Sequence, residues 1–80
     1  MIKLEEAIRI KSGDTLIFEP TIESENEERA YENQGFHQGD KCTVLEPIPL
    51  DENNICFRVV SQRTKKVQEY HYLFFTKNIN

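Results

Sequence analysis

The sequence predicts a mostly β protein, a meander of short strands curled into a small barrel, carrying one long acidic loop or short helix. Three observations predict it. Ile55 to Ser61 alternates strictly, with Ile55, Phe57 and Val59 on one face and Cys56, Arg58 and Val60 on the other, the period-two signature of a strand. Turn chemistry punctuates the chain at Ser12-Gly13-Asp14, Gly39-Asp40 and Asp51-Glu52-Asn53-Asn54, where Gly accepts a positive φ and Asp, Asn and Ser bond nearby backbone. The 80 residues are only 38% hydrophobic, yet five Phe and three Tyr are among them, so aromatics must fill much of one small core. The whole chain, residues 1–80, reads as a single domain with no repeat or linker.

The elements follow in order. Ile2, Leu4, Ile8 and Ile10 share a parity, with Glu6 as the exception, and favour a strand over Ile8 to Lys11. Leu4 and Ile8 also fit one helical turn, so residues 1–7 stay open. A second strand follows at Thr15 to Glu19 and ends at Pro20, which lacks an N–H for the ladder. Residues 20–34 are an acidic excursion. From Glu19 to Asn33 six Glu stand against Arg29 alone, a local charge of −5 in a chain of net −4, so the remainder carries +1. Ser24 followed by Glu27 matches a capping box and Gly35 suits a helix end. A short helix and a mobile loop fit equally well.

Lys41 to Glu46 reads as a strand stopped by Pro47 and Pro49. Ile55 to Ser61 is the central strand, Gln62 to Lys66 a basic hairpin tip, and Val67 to Phe75 the last long strand, with Tyr70, Tyr72 and Phe74 on one face. Residues 77–80 read as a frayed tail.

This order of elements, with Gly39-Asp40 leading into Cys42-Thr43-Val44-Leu45 and Phe57-Arg58-Val59 before an aromatic strand, resembles SH3-like small barrels from Ile8 to Phe75. The resemblance implies a strongly bent sheet of about five strands, a long first loop, and binding by loops and aromatics. The Ala-Leu-Tyr-Asp-Tyr stretch and the Trp of peptide-binding SH3 domains are absent, as the chain has no Trp, which removes the basis for polyproline recognition. The Lys-rich Gly pattern of ribosomal and transcription-factor barrels is missing too. In composition the chain also resembles small acidic phage or mobile-element products that inhibit host factors.

Fourteen Asp and Glu against ten Lys and Arg disfavour a general nucleic-acid coat or an anionic-membrane binder. No apolar run has signal-peptide or membrane-span length, so a soluble cytoplasmic protein is expected. Cys42 and Cys56 read as reduced core thiols. With His37 and His71 they lack the paired spacing of a structural zinc site, and no phosphate-binding, dinucleotide or metalloprotease motif occurs. Neither catalytic residues, metal nor cofactor is expected.

The expectation is therefore a non-enzymatic module that binds another protein with a basic surface, as an inhibitor or modulator. It would dock through Glu23, Glu25, Glu27, Glu28 and Glu32, with Phe36, Tyr70 and Tyr72 as apolar anchors. The alternative is a nucleic-acid patch at Arg58, Arg63, Lys65 and Lys66, where phosphates meet cations and bases stack on Tyr. For both, solvated surface is the competing reading: acidic loops aid solubility, and Lys at a strand end discourages aggregation.

Overall fold

The computed structural model describes residues 2–78. It contains α1 (Leu4–Ala7), β1 (Thr15–Phe18), α2 (Glu25–Asn33), β2 (Lys41–Asp51), β3 (Asn54–Ser61), β4 (Val67–His71), a 3-10 turn (Tyr72–Phe74) and β5 (Phe75–Lys77). The five strands form one antiparallel sheet in the order β4-β3-β2-β1-β5. Its two ends, β4 and β5, do not pair with each other, so the sheet is not closed by hydrogen bonds.

β3 is the expected alternating strand, buried at every second residue from Ile55 to Ser61. Its inner residues join Leu16, Phe18, Phe36, Cys42, Val44 and Phe75 in a core where each of these six is at most 1% exposed. Phe18 is the centre of an aromatic cluster, with the rings of Tyr31, Phe36, Tyr70, Phe74 and Phe75 at 4.9–6.4 Å. Aromatics therefore do supply the core mass that the composition required.

Three boundaries differ from expectation. The segment Ile8 to Lys11 is not a strand: α1 ends in a tight turn there, with Ile8 N–H donating to the Leu4 carbonyl at 3.0 Å and Ile10 N–H to that of Ala7 at 3.1 Å. Ala7 and Ile10 pack inward and Ile8 is 65% exposed, because over one turn a helical stripe and a period-two stripe share positions. β2 continues through Pro47 and Pro49 to Asp51. β1 pairs only with Lys41 to Thr43, so further along β2 has a free side toward which an imino nitrogen can point at no loss to the ladder. A one-residue register shift at Leu45, between Val44↔Val59 and Glu46↔Arg58, sets that parity.

The expected last strand is two strands broken by the 3-10 turn Tyr72–Phe74. Lys77 pairs with Leu16 instead of fraying, and residues 79–80 of the expected tail lie outside the described residues.

Candidate partner-binding surface

The acidic excursion folds as a helix, not a mobile loop. Ser24 Oγ accepts the Glu27 N–H at 3.2 Å, and the Glu27 carboxylate accepts the Glu23 N–H at 2.9 Å. The cap thus reaches one residue further back than a standard capping box. Glu25, Glu27 and Glu28 lie in the first turn, where carboxylates complement the helix dipole. At the other end Gly35, at φ +92°, lets its own N–H reach the Glu32 carbonyl at 2.9 Å and the Phe36 N–H reach Tyr31 at 3.0 Å, closing the helix in a Schellman arrangement.

No residue of α2 is buried, and only Tyr31 is half-buried. Its ring meets Phe18, Tyr70 and Phe74 edge-on at 5.4, 6.1 and 6.0 Å. Glu25, Glu28, Arg29 and Glu32 share the outward face, at the i, i+3, i+4, i+7 spacing. Arg29 reaches Glu25 only at 3.8 Å with both side chains over 70% exposed, and Glu32 approaches His37 Nδ1 at 3.3 Å. Such exposed pairs are well screened and leave the stripe negative.

Two of the three apolar anchors expected beside it, Phe36 and Tyr70, are not on the surface. Phe36 is fully buried and Tyr70 is 8% exposed, its hydroxyl bonded to Gln34 Oε1. Tyr72 is half-buried, with its ring 4.6 Å from that of His71. The 3-10 turn breaks the alternation on which the Tyr70, Tyr72 and Phe74 stripe rested, so Tyr70 and Phe75 both point inward while Leu73 is 44% exposed.

The basic hairpin is occupied by structural work. Arg58 spans β2, β3 and β4 on the outer face, 2.9 Å from Glu46 and 2.7 Å from Glu69. Arg63 forks onto Asp40 at 3.0 and 2.8 Å, and Lys65 Nζ donates to the Gln62 carbonyl at 2.8 Å. Thr64 Oγ1 donates to the Gly35 carbonyl at 2.7 Å, and the Lys66 side chain packs over Gly35. The hairpin therefore clamps the end of the acidic excursion, with Arg58 and Arg63 of the expected cationic set held in ion pairs.

Asp40 is the residue that sequence reading took only for a turn. Desolvation would raise its pKa, but the Arg63 guanidinium and the His37 N–H, donated at 2.9 Å, outweigh it and hold the carboxyl below its ordinary value. Asp40 and Arg63 lie 23 residues apart, and no local pattern announces their meeting.

The thiols and imidazoles are dispersed. Burial, with Asp40 nearby, pushes the Cys42 thiol up to about 12, and its Sγ donates to the Asp40 carbonyl at 3.7 Å. Desolvation and then Glu69 raise Cys56 as well. Both are protonated at neutral pH, whereas a nucleophilic cysteine needs its thiolate. His71 Nδ1 accepts the Leu73 N–H at 3.3 Å, which leaves Nε2 protonated and donating to Asn54 Oδ1 at 3.0 Å. Among the described residues no three His, Cys, Asp or Glu side chains gather as a metal site, and no helix is long and apolar enough to cross a membrane.

No protein-family model, curated protein or solved structure matches the chain.

Proposed function

We propose that this chain is a small, non-enzymatic protein-binding module that modulates a partner by docking the outward face of α2 on a basic surface. One observation carries the reading: Glu25, Glu28 and Glu32 form a solvent-facing stripe on a helix that is capped at both ends and clamped at its C-terminal end. A fixed array of like charges speeds encounter with an opposite surface and discriminates against wrong partners. Glu23 and Glu27 extend the charge, while Glu27 also serves the cap.

The finer fold reading, an SH3-like barrel, belongs to the same proposal. Five antiparallel strands, a register shift that bends β2, and the long excursion between β1 and β2 support it.

The test is capture of partners from the source cells by the immobilised chain and by its Glu25→Gln/Glu28→Gln/Glu32→Gln variant, which spares the cap. Capture should fall for the variant and fall for wild type as salt rises. Equal capture by both would refute the docking role. A gel shift with DNA or RNA at low salt that disappears on neutralising Arg58, Arg63, Lys65 and Lys66 would favour the nucleic-acid reading instead.

A further inference from the structure

The sheet leaves the β4 edge open, and its groups can be assigned by following the hydrogen-bond alternation. Val44 bonds to the β1 side: its N–H donates to the Asp14 carbonyl, and its carbonyl accepts from the Gly13 N–H, both at 2.8 Å. Val44 stands opposite Val59, so the Val59 main chain turns toward β4, where it faces Gln68. Gln68 and Tyr70 therefore bond to β3, and Val67, Glu69 and His71 turn their N–H and C=O groups outward. The Ser61 N–H, donated to the Lys66 carbonyl at 2.9 Å, has the same parity.

The other free edges are shorter or lack donors. The Phe75 carbonyl of β5 accepts the Ile2 N–H at 3.2 Å. Past the end of β1, the outward positions of β2 are Pro47 and Pro49, which have no N–H to offer. On β4, by contrast, no hydrogen bond among the described residues reaches the main chain of Val67, Glu69 or His71 from the open side. An unpaired run of this kind is a template for another strand.

Charge selects the occupant. Glu46 and Glu69 share the single guanidinium of Arg58, so the outer face beside this edge keeps a net charge of −1, and a two-fold pairing of β4 with itself would set that face against its own copy, where like charges destabilise a sheet. α2 reaches the same strand, through Tyr31 against Tyr70 at 6.1 Å and through Gln34. An arriving strand meets the Glu46–Arg58–Glu69 cluster, two carboxylates on one guanidinium. Val67 and Leu73, 48% and 44% exposed, offer apolar contact near the two ends of this edge.

We infer that β4 is a strand-addition site for an extended, lysine- or arginine-containing segment of a partner protein. This rests on the proposed function for the sign of the partner's charge and adds how the partner is held. Main-chain bonds to Val67, Glu69 and His71 supply affinity, and alternate cationic side chains supply selectivity.

Amide hydrogen exchange on the full chain tests it. In the free protein the Val67, Glu69 and His71 amides should exchange fast and those of Gln68 and Tyr70 slowly. A blocked heptapeptide of alternating Lys and Val should slow the three outward amides. The same peptide N-methylated at alternate residues should bind about tenfold more weakly or worse, since two or more main-chain bonds are lost. Val67→Pro, which removes an outward donor at the first residue of the strand, should weaken binding while Gln68 and Tyr70 stay protected; if that variant unfolds, the N-methylated peptide still decides. No binding at millimolar peptide, binding without protection of the three amides, unchanged affinity on N-methylation, or equal binding of a Glu-Val peptide would each overturn the inference. So would self-association that protects these amides, which would make a second copy the occupant. Partner capture that depends on α2 while the three amides stay unprotected would overturn strand addition and leave the docking role standing.

Discussion

Replacing Tyr31 by Ala should release α2 from the sheet while the rest of the fold persists. A fully enclosed tyrosine buries about 150–250 Å²; half of that, at about 25 cal/mol per Å², is worth about 2–3 kcal/mol. Three edge-on partners, Phe18, Tyr70 and Phe74, add about 0.5 kcal/mol each at the low end of measured aromatic pairs. The total is about 4 kcal/mol. A helix of nine residues is too short to stand alone in water, so this loss is concentrated in α2. Alanine is the better helix former, which makes any melting attributable to lost contact instead of propensity. Amide exchange should speed up through α2 in Tyr31→Ala and stay slow in β3, with Tyr31→Phe close to wild type. Exchange in α2 of Tyr31→Ala as slow as in wild type would refute the claim that one aromatic holds the helix.

Two further outcomes follow from the same packing. Gly35→Ala should lower stability by about 2 kcal/mol or more in urea titration, because a left-handed backbone costs an L-residue about 1–2 kcal/mol and the new Cβ would sit 2.6 Å from Lys66 Cβ. Gly39→Ala, at φ +91° but with open space around it, should show the strain alone. At alkaline pH, Cys42 and Tyr70, both pushed up to about 12 mainly by burial, keep their protons in the folded chain after the unfolded chain has released them. Stability should therefore hold at neutral pH and fall from about pH 9, near the ordinary thiol pKa. A flat denaturation midpoint between neutral pH and pH 11 would refute the burial assigned to these two groups.

Sequence reading succeeded where one pattern acted alone. β3 alternates without interruption; for residues 24–35 the local chemistry of Ser24, Glu27 and Gly35 supplied the helical alternative without deciding it against a loop. It failed where two periodicities coincide, as at Leu4 and Ile8, and where a one-residue irregularity reverses parity, as at Leu45 and in the 3-10 turn. Phe36 and Tyr70 were misplaced because a core this poor in aliphatic residues takes in every aromatic it can reach. The concentration of acid was legible from composition; its arrangement as a stripe on one helix face was not, since it needs the helix. The Asp40–Arg63 clamp and the unfilled edge of β4 were not, since both depend on strand order.

The two prolines fix which register β2 can adopt. With Leu45 bulged out, Glu46 stands opposite Arg58 and Pro47 opposite Phe57, and both imino nitrogens turn away from β3. Flattening the bulge while keeping Leu45 would move every later residue of β2 one place along β3 and turn both nitrogens into the ladder, removing two of its donors. Slippage of this strand therefore carries a cost that the same strand without prolines would not have, and the pair acts as a ratchet that holds the far half of β2 in a single alignment.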